Sequence, residues 1–316
     1  MARFSFLNVL KEVVGILNES RTLFLKNKKL MFSVLVFPLL LNGLVYLFNV
    51  FAIKPEITNL SNESSLLPTA DPSSPEFIAH VMRIFADIRQ LVASSYIFST
   101  LHSIINLLSV LVIVHASALT HENENIKIKD FPVFTLKSWK GPLVTSFYIF
   151  LFSLGYWSLF FIILFPLLMF SSSFYSLAAK SGALLIIFVL FHSYLTIVWL
   201  LSMVISILEE TYGIQALGKA AKIVKGMKLK LFLLNLFFGL LSSGLAKILL
   251  MLVDLQRSIA VTFTISLVLV TSLFAVSMFQ LVTYTVAYFQ CKSLQGQDVE
   301  SLRDVEYTKL SSTGGI

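Results

Sequence analysis

Six long runs of mainly apolar residues, at about 30–52, 95–120, 143–170, 182–208, 231–253 and 259–290, take up most of this 316-residue chain. Each can supply the roughly 20 residues that an α-helix needs to cross a hydrocarbon core. Hydrophobic residues make up 57% of the chain and charged ones 13%, about half the charged share of an ordinary soluble domain. A water-soluble fold could not hide that much apolar surface. The 29 Phe, 10 Tyr and 3 Trp lie within the long runs rather than in alternation with polar residues, which argues for helices and against an outer-membrane barrel. The expected fold class is all-α: a polytopic membrane helix bundle of six transmembrane helices, with amphipathic interfacial helices beside it. Pro38 and Pro166 fall inside spans and are expected to kink them.

Orientation follows from the basic residues. Eighteen of the 24 Lys and Arg residues fall on one side of a six-span chain, in the arm 1–29, the loops 121–142 and 209–230, and the tail 291–316. The positive-inside rule places that side, with both termini, in the cytosol. The formal charge of +7 is thus accounted for by topology, and nucleic acid is not an expected partner. Residues 1–29 carry Lys11, Glu12, Glu19, Arg21, Lys26, Lys28 and Lys29 without an uninterrupted apolar core, so the first span is expected to double as the insertion signal. The loop 53–94 is then lumenal. It contains Asn59-Leu60-Ser61 and Asn62-Glu63-Ser64, which read either as glycan acceptors at Asn59 and Asn62 or as unused matches in a flexible loop. Residues 291–316 are expected to be a disordered cytosolic tail.

Three segments outside the spans have amphipathic helical periodicity. In the first, Phe6, Leu7, Val9, Leu10, Val13, Val14, Ile16 and Leu17 share one side and Asn8, Lys11, Glu12, Asn18 and Glu19 the other, as in a helix lying in the cytosolic interface. In the second, Phe77, Val81, Ile84, Phe85 and Ile88 recur at helical steps with Glu76, Arg83 and Asp87 opposite, and the helix is expected to run on into the second span. In the third, Ile214, Leu217, Ala220, Ala221, Ile223 and Val224 face away from Gln215, Lys219, Lys222 and Lys225, and Gly226 is placed to terminate the helix.

The run Leu208-Glu209-Glu210-Thr211-Tyr212-Gly213, followed by Ala216-Leu217-Gly218-Lys219 and Lys225-Gly226, resembles a plant family of uncharacterised six-span transmembrane proteins, and the likeness extends over most of the chain. The segment Ile126 to Lys140, with Phe131-Pro132-Val133 and Lys137-Ser138-Trp139-Lys140, sits where that family carries a short basic loop. Lys219-Ala220 departs from the Lys-Ser expected there. A remoter similarity is to the membrane region of bacterial glycerophosphodiester phosphodiesterases. No hydrolase domain is expected beyond the spans, and nothing catalytic is expected to carry over.

Polar residues at membrane depth are the default place to look for function. His102 and Asn106 stand one turn apart in the second span, with His115 nearer the cytosol; His192 is midway along the fourth, and Asn42, Asn235 and Gln280 occupy the first, fifth and sixth. They read either as a transport path, through His102, Asn106 and His192, or as interhelical packing contacts worth about 0.6 kcal/mol each. No span holds a central Asp or Glu, and no metal cluster, phosphate loop, nucleophile elbow or carboxylate pair is present in the sequence. No cofactor is expected. Gly239/Ser243 and Ser242/Ala246 have the spacing of close helix contact. Cys291, the single cysteine, lies just past the last span, where palmitoylation is one reading and an ordinary thiol the other. Tyr307-Thr308-Lys309-Leu310 has the Tyr-x-x-bulky form of a sorting signal.

These features lead to an expectation of a non-enzymatic endomembrane protein whose basic amphipathic helices, through Lys219, Lys222 and Lys225, bind anionic lipids or cytosolic sorting or scaffold proteins. A small-solute transporter or channel is the alternative.

Overall fold

A computed structural model describes residues 2–66, 74–122, 138–169, 174–209, 211–255 and 259–294. Every regular element among them is helical: α1 Ala2–Lys26, α2 Lys28–Phe48, a short π-helical segment Asn49–Ile53, α3 Lys54–Leu66, α4 Pro75–His121, α5 Lys140–Met169, α6 Phe174–Leu208, α7 Ile214–Gly226, α8 Lys228–Leu255 and α9 Ile259–Leu294. Helices α2, α4, α5, α6, α8 and α9 are long and apolar enough to cross a bilayer. The chain is a multi-pass membrane protein of the all-α class.

Local chemistry sets the element ends. Asn27 separates α1 from α2, with its side-chain oxygen accepting from the Leu30 N–H at 3.4 Å, as a helix N-cap does. Ser74 starts α4 in the same way, accepting from the Phe77 N–H at 3.1 Å, and Pro75 takes the first helical position, where its missing N–H costs nothing. Both α2 and α5 continue through their prolines, Pro38 and Pro166. The amide of Asn42 donates to the Pro38 carbonyl at 2.8 Å, so this intramembrane amide is satisfied within its own helix. Gly226 does close α7, yet it does not take the left-handed conformation of a helix-ending glycine. Met227 alone turns the chain into α8, its N–H donating to the Val224 carbonyl at 3.2 Å.

The chain forms two compact units. The first comprises Met1–Leu35, Val110–Ile248 and Ala275–Ile316. Its centre is the last part of α4, α6 and α9, where Val114, Ala116, Leu201, Val204, Val282 and Val286 are fully or almost fully buried. Polar residues are buried with them. Ser117, Thr120, Ser202, Ser206, Thr283 and Thr285 each donate to a carbonyl three or four residues earlier, at 2.7–2.9 Å. Their protons are thus used within their own helices, which makes this polar interior a packed one. Helix α7 packs chiefly on α6, and α5 lies against both.

The second unit comprises Val36–Ser109 and Leu249–Phe274. Most of the stretch 53–94 is helical rather than loop. Helix α3 runs antiparallel to the first turns of α4, which is one continuous helix of 47 residues from before the second span to its end. Glu56 and Glu63, two turns apart on α3, are the reason: Glu56 accepts from Gln90 at 3.0 Å and Ser94 at 2.9 Å, and Glu63 meets His80 at 2.7 Å and Arg83 at 3.6 Å. Asn59 and Asn62 of α3 are exposed.

Candidate functional site

The most heavily built polar cluster in the first unit grows from the turn after α6. Gly213 sits there with φ +63°, a conformation that only glycine adopts without strain. Its N–H donates to the buried Thr145 hydroxyl at 2.9 Å, and that hydroxyl donates to the Gly141 carbonyl at 3.1 Å. A methyl group on Gly213 would stand 3.0 Å from the Tyr148 ring, and one on Gly141 would stand 3.0 Å from the Ser206 carbonyl oxygen. Gly141 therefore lets the backbone at the start of α5 approach the end of α6, and Gly213 lets the turn after α6 lie against the Tyr148 ring.

That turn delivers Glu209. Its Oε1 accepts from the Tyr288 hydroxyl at 2.5 Å and from Lys292 Nζ at 3.5 Å; its Oε2 accepts from Lys219 Nζ at 2.8 Å. Lys292 also lies over the Tyr288 ring, 5.8 Å from the centroid. Burial, which by itself would raise the Glu209 pKa, is outweighed by the hydrogen bonds from Lys219 and Tyr288 and by the charges of Lys219 and Lys292. The carboxyl is held below its usual range. One carboxylate thus ties α6, α7 and α9 together.

Two further acids fasten α1 to the same end. Glu12 pairs with Lys230 at the start of α8, and Glu19 accepts from Gln290 of α9 and lies 4.0 Å from His121 of α4. The His121 ring stacks on Phe289 at 4.4 Å. The C-terminal ends of α4, α6 and α9 and the N-terminal ends of α5 and α8 therefore meet at one end, so these five spans run alternately up and down. Around them Lys11, Arg21, Lys26, Lys28, Lys29, Lys222, Lys225 and Lys228 are all exposed. With Glu12, Glu19 and Glu209 each engaged, this end presents a cationic surface.

The residues singled out from sequence fall in several places. Lys219 holds Glu209, whereas Lys222 and Lys225 face outward. The apolar face of α7 is turned against the protein, with Ala216, Ala220 and Val224 buried and Ile214 60% exposed. The buried line runs Ala216, Ala220, Val224 at steps of four, which leaves Ile214, two residues before Ala216, on the far side of the helix. Ala220, where Lys-Ser was expected, has no exposed surface. In α1, Val13, Ile16, Ser20 and Leu23 are buried while Leu7, Leu10 and Val14 are exposed, so this helix has one apolar edge against protein and another free for lipid.

His192 lies among Tyr156, Trp157 and Trp199, with ring centroids 5.5–6.0 Å away. The buried Nδ1 of His192 has no hydrogen-bond partner among the described residues. His102 and Asn106, in the second unit, are exposed, and His102 stacks on Phe98. Asn235 reaches the Ser193 carbonyl at 3.5 Å. Cys291 is buried at 3% exposure, away from an acylating enzyme in this conformation. Gly239 and Ser243 are exposed. Tyr307 and Leu310 lie outside the described residues.

Sequence reasoning passed over Glu12, Glu19 and Tyr288 as partners, and Glu209 entered it only within the run Leu208 to Gly213.

A family model described as Domain of unknown function (DUF8558) matches residues 2–307. No curated protein and no solved structure matches the chain.

Proposed function

This chain belongs to the DUF8558 family, and from that premise we propose a non-enzymatic multi-pass protein of the plant endomembrane system whose cytosolic face engages anionic lipid headgroups. The likeness to plant six-span proteins supports the setting; the likeness to the membrane region of bacterial phosphodiesterases brings no chemistry with it. The observation that carries the reading is the sorting of charge at the end where the spans meet. Glu12, Glu19 and Glu209 are each paired within the chain, while eight lysine and arginine residues around them are exposed. Exposed Leu7, Leu10 and Val14 of α1 supply the apolar edge of an interfacial helix. Helix α7 contributes charge alone, because its apolar face is already covered. Cytosolic sorting or scaffold proteins are the second class of partner for this face.

Two measurements test the reading. In sealed microsomes, tags at both termini should be digested by external protease, while a tag at residue 65 should be cut only after detergent; opposite behaviour of the two termini would reject the topology. For the surface, full-length protein in nanodiscs of neutral lipid should capture vesicles containing anionic lipid in preference to neutral ones, and salt should weaken capture. Each lysine near an anionic surface contributes about 1 kcal/mol, so Lys222→Gln with Lys225→Gln should weaken capture roughly 10- to 30-fold. Unchanged capture would reject the electrostatic part. Solute-dependent flux through the purified protein in liposomes would favour the transporter alternative instead.

A further inference from the structure

Helix α3 has two kinds of surface. Glu56, Leu60 and Glu63 are half-buried along one line, and the two acids on it engage Gln90 and Ser94, and His80 and Arg83, of α4. Elsewhere on the helix Thr58, Asn59, Ser61, Asn62, Ser64 and Ser65 are exposed, with Ile57, at 51%, as an apolar exception. Hydroxyls and amides of this density suit water rather than acyl chains. Followed along the helix at 1.5 Å per residue, Asn62 lies about 25 Å beyond Val45, where the first span ends. This polar surface therefore belongs to the aqueous side.

Both acceptor tripeptides, Asn59-Leu60-Ser61 and Asn62-Glu63-Ser64, fall on α3, and the fold treats them differently. At 100° per residue Asn62 leaves the helix about 130° from the line of Glu56, Leu60 and Glu63, and Asn59 about 70° from it. An N-linked glycan is bulky and hydrated. From position 62 it would extend away from α4, whereas from position 59 it would start on the flank of the helix, where the contact with α4 begins.

We propose that Asn62 carries an N-linked glycan and that Asn59 does not, an inference that rests on the lumenal placement of this hairpin given above. The donor is an oligosaccharide held on a lipid diphosphate, and the host transferase supplies the catalysis. A bond forms between Asn62 Nδ2 and the anomeric carbon, the bond from that carbon to the diphosphate oxygen breaks, the amide gives up one proton and the lipid diphosphate leaves. The transferase reads the asparagine and the hydroxyl two residues later together. On α3 these are about 200° apart, whereas on an extended chain they share a side. Transfer therefore precedes the folding of α3, and folding then turns the Ser64 hydroxyl to the Ser61 carbonyl, to which it donates at 2.9 Å. The hairpin closes on Glu56 and Glu63 with the sugar at position 62 pointing into water.

The test uses full-length protein made in glycosylating microsomes, its mobility compared before and after enzymatic removal of N-glycans. Wild type should lose the mass of a single glycan. Asn62→Gln and Ser64→Ala should each abolish that shift, and Asn59→Gln and Ser61→Ala should leave it unchanged. A shift that persists in Asn62→Gln, a shift that Asn59→Gln reduces, or no shift at all overturns the proposal. With no shift, the tag at residue 65 separates the two readings: its protection leaves the lumenal hairpin standing without the glycan, and its digestion without detergent removes both. Asn18-Glu19-Ser20 is a third acceptor pattern, on α1 at the opposite end of the spans. A glycan lost in Asn18→Gln would place that end in the lumen and overturn both readings as well.

Discussion

Glu209→Gln should lower the thermal stability of the detergent-solubilised protein by the equivalent of about 2 kcal/mol, the range for hydrogen bonds to a charged group. The carboxylate receives Tyr288, Lys219 and Lys292, and the Lys292 side chain is only 12% exposed. The amide keeps the shape but removes the charge that compensates Lys292, and it turns an NH2 toward donors. Unfolding followed by fluorescence-detected size exclusion measures the effect, with Lys225→Gln as the neutral comparison. The pH dependence has a definite sign. Since the folded-state carboxyl is held below its ordinary range, its contribution is present above the ordinary glutamate pKa. It is lost as pH falls below the ordinary glutamate pKa and through the depressed folded value. Wild-type protein should therefore lose stability in that window and the glutamine variant should lose less. Equal loss in both would show that Glu209 does not tie the three helices.

Gly213→Ala should be of similar size, for a different reason. At φ +63° a non-glycine residue carries backbone strain of order 1–3 kcal/mol, and the added methyl would meet the Tyr148 ring at 3.0 Å. Adding Tyr148→Ala should return the steric part, apart from the packing that the ring itself provides, and leave the backbone part. The turn also positions Glu209, so the alanine variant should show a weaker acid transition than wild type. A Gly213→Ala protein as stable as wild type would mean that the turn can take another conformation at no cost.

The Glu209 prediction concerns long-range partners, and these are what the sequence concealed. Tyr288 is 79 residues from Glu209 and Gln290 is 271 residues from Glu19. No local periodicity connects such pairs; they meet because α1, α6 and α9 are brought to one end of the first unit. Thr145 is likewise 68 residues from the Gly213 N–H it accepts. The side chains could be named from sequence, but not their pairing.

What sequence by itself determined is the part governed by solvent. Hydrocarbon demands internally hydrogen-bonded, apolar segments of a minimum length, so six spans, their helical state and the continuation of the second amphipathic segment into α4 were all legible from residue order. Periodicity also located α1 and α7, since an apolar arc at 100° per residue needs no tertiary partner to be recognised. It could not say what covers that arc. For α7 the answer is the protein, with Ala216, Ala220 and Val224 buried; for α1 it is divided between Val13 and Ile16 inside and Leu7, Leu10 and Val14 outside. In the α3–α4 hairpin the division is mixed: Phe77, Val81 and Ile84 are half-buried together with His80 and Asp87, near the carboxylates of Glu56 and Glu63, while Phe85 and Ile88 are exposed. Amphipathicity reports that two faces differ. Which face meets water, lipid or protein depends on the partners a fold places opposite them, and that was decided by tertiary structure alone.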